Sequence, residues 1–295
     1  MRTGSKGDEK TAAVVYHNSC FAMGTRLNVV IIDDVTCADE IFDEIAGAVG
    51  RLERKLSRFD TDSDVYRINS LAARQSVAVD SEMTAILLAC EDYCRRSAGY
   101  FDITLPSRSG ALAGFSMPDC VHIDAGNQTV AFSDDSIKID LGGFGKGFAL
   151  REILSILNRR DVKNVLVSFG ESSILALGCH PYGDCWKVGI EDVSRPGSSA
   201  YVFELRDQSL SVSGFQPALR EGQGFHIFSP GSASPIERTS TVAVLSGDAL
   251  DAEILSTAVY AAIGTDASFI KNFSGCRAVR VDYDNDELTE IYTYE

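Results

Sequence analysis

From Ala38 to Leu56 the apolar residues Ile41, Ile45, Val49, Leu52 and Leu56 return at three- and four-residue intervals. That spacing gathers them on one side of a helix and predicts an amphipathic α-helix across the stretch. A second helix is predicted from Ser81 to Arg96, with Ser81 as a candidate N-cap and Ile86, Leu87, Cys90 and Cys94 facing inward. Elsewhere the apolar residues come in short β-branched runs, which read as strands. These are Val14–Tyr16, Leu27–Ile32, Ile137–Leu141, Asn164–Phe169, Trp186–Ile190, Tyr201–Leu205, Ser209–Val212 and Thr241–Leu245. A helix is predicted after a glycine run at 142–147, ending near Arg159, and another over Asp251–Ile263. The chain closes on two β segments, Cys276–Val281 and Leu288–Tyr292. Residues 105–135 predict loops with weak strand patterns at most, and 214–239 form a long polar connection.

Strands and helices are interspersed without the strict alternation of a doubly wound sheet. The fold class expected is therefore α+β, mostly antiparallel sheet with packed helices. No internal repeat, heptad pattern or low-complexity linker divides the chain. One domain over residues 13–295 is expected, preceded by a disordered tail at 1–12.

Composition narrows the function classes. Lys plus Arg is 27 against 42 Asp plus Glu, a formal charge of −15. Nucleic acid and anionic membrane surfaces are poor partners for such a chain. A phosphate-bearing small ligand would need backbone N–H groups or a metal ion to offset the acidic field. No apolar run approaches the roughly 18 residues of a membrane span. The first ten residues, MRTGSKGDEK, lack the apolar core of a secretory signal. The chain as written is expected to be cytoplasmic, or exported if a leader has been removed. The eight cysteines are expected to be reduced, since a chain of 295 residues buries enough core without cross-links.

Four places carry candidate chemistry. Ile139 to Leu150 reads IDLGGFGKGFAL, with four glycines in six residues between a predicted strand and helix. Glycines let backbone N–H groups converge on a ligand, and a helix N-terminus favours phosphate. The run is no Walker loop, because Gly147 follows Lys146; a tight strand–helix turn is the plainer alternative. Glu253 and Thr257 lie i and i+4 on one helix, with Ser256 between them, a hard-oxygen set suited to Mg²⁺ or an ordinary acidic helix start. Tyr100, Phe101 and Asp102 could hold a flat heterocycle or belong to an edge strand. His226 sits in a glycine-rich loop.

Taken in order, these segments resemble the ApbE-type flavin transferases, the FAD:protein FMN transferases. The resemblance runs through FAMGTRLNVVI at 21–31, LSRFDTDSDVYRIN at 56–69, GYFDIT at 99–104 and IDLGGFGKGFA at 139–149. It continues through NVLVSFGESSILALG at 164–178, WKVGIED at 186–192, SVSG at 211–214, FHIFSP at 225–230 and DAEILSTAVY at 251–260.

The resemblance implies an ApbE-like, T-fold-related single unit that holds FAD in a cleft beside Mg²⁺. It implies transfer of FMN to a Thr hydroxyl of an acceptor protein with release of AMP; the alternative is an FAD-binding protein or FAD pyrophosphatase of the same fold. By position, Met23, Phe59, Tyr100, Phe101, Asp102, Gly142, Phe148 and Phe228 are the implied FAD contacts. The implied metal ligands are the Gly145 carbonyl, Glu253, Ser256 and Thr257, and His226 falls on the family's loop histidine, the implied catalytic residue. The chain departs from the family pattern at Glu253, where Asp is usual, at Val212 for Thr, at Arg151 for Asp, and at Ser229–Ala233 for Asp-Pro-Arg-Thr-Gly. These changes touch transfer more than binding, so FAD affinity is expected to outlast catalysis.

Overall fold

A computed structural model of the chain describes residues 14–33, 36–104, 115–195, 197–214, 227–230, 234–236, 238–284 and 287–294. β1 (Tyr16–Ala22) and β2 (Thr25–Ile31) form a hairpin across Met23 and Gly24, both at positive φ (49° and 74°). Two left-handed residues match the twist of the flanking strands, which is why glycine suits the second position. α1 (Ala38–Leu56) buries Ile41, Phe42, Ile45, Val49, Leu52 and Leu56, as the periodicity predicts. α2 (Asp64–Leu71) begins at Ser63, whose Oγ accepts the Tyr66 N–H.

β3 (Val77–Ala78), α3 (Ser81–Arg96), α4 (Met117–Cys120), β4 (Val121–Asp124) and β5 (Thr129–Phe132) follow; the strands form a small sheet in the order β3-β5-β4. The N-cap of α3 is Asp80, accepting the Met83 N–H, and Ser81 is already inside the helix.

The second half supplies the main frame. After α5 (Gly142–Arg159) come β6 (Val165–Phe169), β7 (Ser173–Leu177), the hairpin β8 (Trp186–Glu191) and β9 (Ser199–Leu205), then β10 (Gln208–Gly214) and β11 (Ser240–Ser246). α6 (Ala249–Ala261) leads through a 3-10 turn to β12 (Arg277–Asp284) and β13 (Glu287–Tyr294). Eight strands make one wholly antiparallel sheet ordered β1-β2-β6-β7-β10-β11-β12-β13.

Both faces of this sheet are covered, and strand alternation distributes the side chains. In β11, Val242 and Val244 point to the side of α6, while Ala243 and Leu245 pack with Trp186, Phe203 and Leu205 of the β8–β9 hairpin. In β7, Leu175 joins α1 and α5, while Ile174 and Ala176 face the hairpin. α5 belongs to two cores at once: Phe144 packs with α3 and α6, whereas Leu150, Ile153 and Leu157 pack with α1 and β2.

Several expectations need correcting. Ile137–Leu141 forms no strand, and the glycine run is the opening of α5 itself rather than a loop before it. α2 and β7 are absent from the sequence reading, and 115–135 carries α4, β4 and β5 where loops were expected. The tail expected at 1–12 lies outside the described residues. Among the described residues, which include all eight cysteines, no disulfide is formed, and no helix is long and apolar enough to cross a membrane.

Candidate active site

A cleft of about 620 Å³ opens where the N-terminal turn of α5 and the Glu253–Thr257 face of α6 meet the β1–β2 turn and the end of β10. At α5, Asp140 Oδ1 accepts the Gly142 N–H at 2.9 Å, and the Leu141 carbonyl accepts from Phe144 and Gly145 at 3.0 and 2.9 Å. The glycines therefore spend most of their first-turn N–H groups within the chain, and their contribution is closeness instead. A Cβ on Gly147 would lie 2.7 Å from Glu253 Cβ and 3.0 Å from backbone atoms of Ala249 and Leu250. Glycine at that point lets α5 and α6 touch along their backbones.

α6 is set by Asp248, whose carboxylate accepts the Leu250 and Asp251 N–H groups at 2.8 and 3.1 Å. Arg151 binds both oxygens of Asp248 at 2.9 Å and donates to Tyr93 Oη at 3.0 Å, while Tyr93 donates to Asp251 at 2.6 Å. Burial first, and then Asp251, push the Tyr93 phenol well above its ordinary value. Arg151 thus ties α5 to the cap of α6.

Glu253 leaves α6 toward the cleft and is 4% exposed. Its Oε1 accepts from Lys146 Nζ at 2.5 Å, and its Oε2 accepts from Ser173 Oγ at 2.6 Å and Ser211 Oγ at 2.9 Å. Hydroxyls continue outward. Ser256 Oγ lies 3.1 Å from Ser211 Oγ and 2.8 Å from Ser213 Oγ, and Ser213 Oγ lies 3.4 Å from Thr257 Oγ1. The position a Gly143 Cβ would take is 3.8 Å from Thr257 Oγ1, so the start of α5 faces the middle turns of α6 across the cleft.

Met23, Phe59, Gly142, Gly145, Glu253 and Thr257 all line this cleft. Met23 is held by its N–H, which donates to Glu53 Oε1 at 2.9 Å. Phe59 stands at the mouth, 78% exposed, with the Arg58 guanidinium 4.5 Å over its ring. Ser256 is fully buried one layer behind.

Tyr100, Phe101, Asp102 and Phe148 do not line it. Tyr100 stacks on Phe269 and shares a 2.7 Å hydrogen bond with Thr265. Phe101 is buried against the Gly143 position at 3.6 Å. Asp102 is buried, accepting from Thr104 and from the Met117 N–H. Phe148 stacks on Phe144 at 5.4 Å between the two cores. Phe228 forms an isolated bridge with Pro235, and His226 lies outside the described residues.

The donor chemistry suits a hard cation: one carboxylate, hydroxyls and a backbone carbonyl, without sulfur or imidazole. Among the described residues no three His, Cys, Asp or Glu side chains cluster; of the cleft carboxylates Glu53, Asp140 and Glu253, it is Glu253 that the hydroxyls surround. Lys146, Ser173 and Ser211 escape the sequence reading as site residues. Lys146 and Asp140 sit inside the IDLGGFGKGFA segment, where a charge on a glycine-rich turn is a usable signal; serines in strands carry none.

A profile of the ApbE family matches residues 23–278. An FAD:protein FMN transferase of Treponema pallidum is 27% identical, over 90% of this chain and 83% of its own. One from Vibrio cholerae is 24% identical over 85% and 82% respectively. In solved structures, the ApbE protein of Thermotoga maritima superposes with a TM-score of 0.80 at 24% identity, covering 96% of this chain and 97% of that one. A flavin transferase ApbE from Vibrio cholerae gives 0.79 at 19% identity, covering 96% and 97%. With most of its length matched by the profile and its antiparallel frame matched by the solved folds, this chain belongs to the ApbE family.

Proposed function

We propose that the protein transfers FMN from FAD to a Thr hydroxyl of an acceptor protein, with AMP as the leaving group and Mg²⁺ at Glu253, Thr257, Ser256 and the Gly145 carbonyl. The observation that carries this reading is the meeting of the α5 N-terminus with Glu253 and Thr257 of α6 at one cleft, with hard oxygen donors on one wall and an ammonium on the same floor. The similarity to proteins named FAD:protein FMN transferases supports the reaction class. In this reaction the acceptor Oγ forms a bond to the FMN phosphorus, the phosphorus–oxygen bond to AMP breaks, and the hydroxyl proton leaves. Such chemistry asks mainly for positioning and charge neutralisation.

Met23, Phe59 and Gly142 offer the walls for the dinucleotide, with Phe228 a further contact assigned by resemblance. Phe101 and Phe148 act from behind by packing on Gly143 and Phe144 at the start of α5, and Tyr100 and Asp102 are assigned to the flavin by resemblance alone. His226 is assigned the acceptor's proton. A divalent ion, when bound, offsets charge on the departing phosphate.

Incubation with FAD, Mg²⁺ and an acceptor protein tests the reading. Flavinylated acceptor plus AMP is the expected result. Free FMN plus AMP would instead identify a hydrolase, and intact FAD a carrier. Glu253→Gln should lower transfer roughly 10²–10³-fold, the scale of losing one charge-stabilising group.

A further inference from the structure

Glu253 does not wait with open coordination positions. A carboxylate offers about four acceptor sites, and here Lys146, Ser173 and Ser211 fill three of them. The Glu253 side chain is 5% exposed, so water contributes little to the remainder. A cation approaching Oε1 meets an ammonium at 2.5 Å. Lys146 is the more open partner, 23% exposed and lining the cleft with Gly142, Gly143 and Thr257. Its charge is a compact point on a four-carbon stem, able to swing without moving the α5 backbone.

Resting on the cleft reading above, we propose that Lys146 is the resident counter-ion of Glu253. It passes to the pyrophosphate of the dinucleotide when a divalent cation takes Oε1. The two ligands then need each other. A cation arriving alone strands an ammonium in the cleft. A pyrophosphate arriving alone must compete with a buried carboxylate for the same ammonium. Arriving together, they exchange partners with every charge still paired. An acidic protein thereby avoids binding stray cations or stray anions at this point.

The test uses Mn²⁺ and ADP as probes on the full chain, with no turnover. In wild type, Mn²⁺ alone and ADP in chelator should each bind weakly, and each should tighten the other about tenfold or more, the scale of a charge-assisted hydrogen bond. Lys146→Met should bind Mn²⁺ alone about tenfold more tightly than wild type and lose most of the coupling to ADP. Glu253→Gln should bind ADP in chelator about tenfold more tightly, and the Glu253→Gln/Lys146→Met double variant should lose that gain. Mn²⁺ affinity unchanged in Lys146→Met, or an ADP gain that survives in the double variant, would overturn the exchange. Should Lys146→Met not fold, because a buried carboxylate loses its partner, the comparison of Glu253→Gln with the double variant decides alone. Absence of ADP binding in every variant, with and without Mn²⁺, would overturn the pyrophosphate cleft itself and the exchange with it.

Discussion

Gly147 has no room for a side chain. A methyl there would meet Glu253 Cβ at 2.7 Å and α6 backbone at 3.0 Å, and backbone cannot rotate away. Gly147→Ala should therefore destabilise the fold by about 1–3 kcal/mol despite its better helix propensity, which a shifted urea midpoint would show. Phe59 is the opposite case. It is 78% exposed, so Phe59→Ala should leave stability within about 0.5 kcal/mol. If the ring stacks on a bound flavin nucleotide, the same change should weaken FAD binding several-fold to about tenfold, read by fluorescence titration.

Among the elements, α1, α2 and α3 are tied by one ammonium. Lys55 donates to Asp64 at 2.9 Å and to Asp80, the cap of α3, at 2.5 Å. The Asp80 carboxyl is held below the usual carboxylate range by Lys55 and the Met83 N–H. Burial pushes Asp64 up, but hydrogen bonds from Lys55 and Arg67 outweigh it and leave it lowered too. A carboxyl lowered by folding adds stability above its unfolded pKa of about 4 and loses it as pH falls through the folded value. Lys55→Met should thus destabilise at pH 7, on the order of 1 kcal/mol given partial exposure of the group. The gap from wild type should begin to narrow below about pH 4 and close only as pH falls through the lowered folded values, so paired urea curves should show a smaller gap at about pH 3 than at pH 7. Loss of the α6 cap is a separate matter: Asp248→Ala removes the acceptor of two N–H groups and the Arg151 fork, and should cost about 1–2 kcal/mol while weakening any ligand held by α6.

What could be read from the sequence follows how each element is covered. α1 has one buried stripe and one wet face, so its period of 3.6 marks both ends correctly. β7 is buried on both faces, so its residues show no alternation and the strand goes unseen. α2 spans eight residues, too few for its period to stand out. The strand expected at Ile137–Leu141 is apolar because Ile137, Ile139 and Leu141 are buried, yet among the described residues no strand forms a ladder with it. At the site, Glu253 and Thr257 are legible from their helical spacing. The partners of Glu253, Ser173 and Ser211, arrive from strands 80 and 42 residues away, and no local pattern announces them.

At the scale of the molecule, the cleft exists only where α5, α6, β10 and the β1–β2 turn are assembled. A ligand of this cleft should therefore have no site on the unfolded chain. FAD with Mg²⁺ at 100 times its dissociation constant should raise the unfolding free energy by about 2.7 kcal/mol, and the melting temperature should climb with FAD concentration. A melting temperature indifferent to FAD would place any binding outside the cooperative structure.

α6 has eleven of its thirteen residues buried, packed between α5 and strands β10 and β11. Its amides should be among the last in the protein to trade their hydrogens for solvent deuterium, because only near-global opening exposes them. The chemistry then stands on the slowest-exchanging ground in the molecule. Variation in how a substrate is accommodated would have to come from the rim, where Phe59 and Arg58 sit in water, and not from the floor.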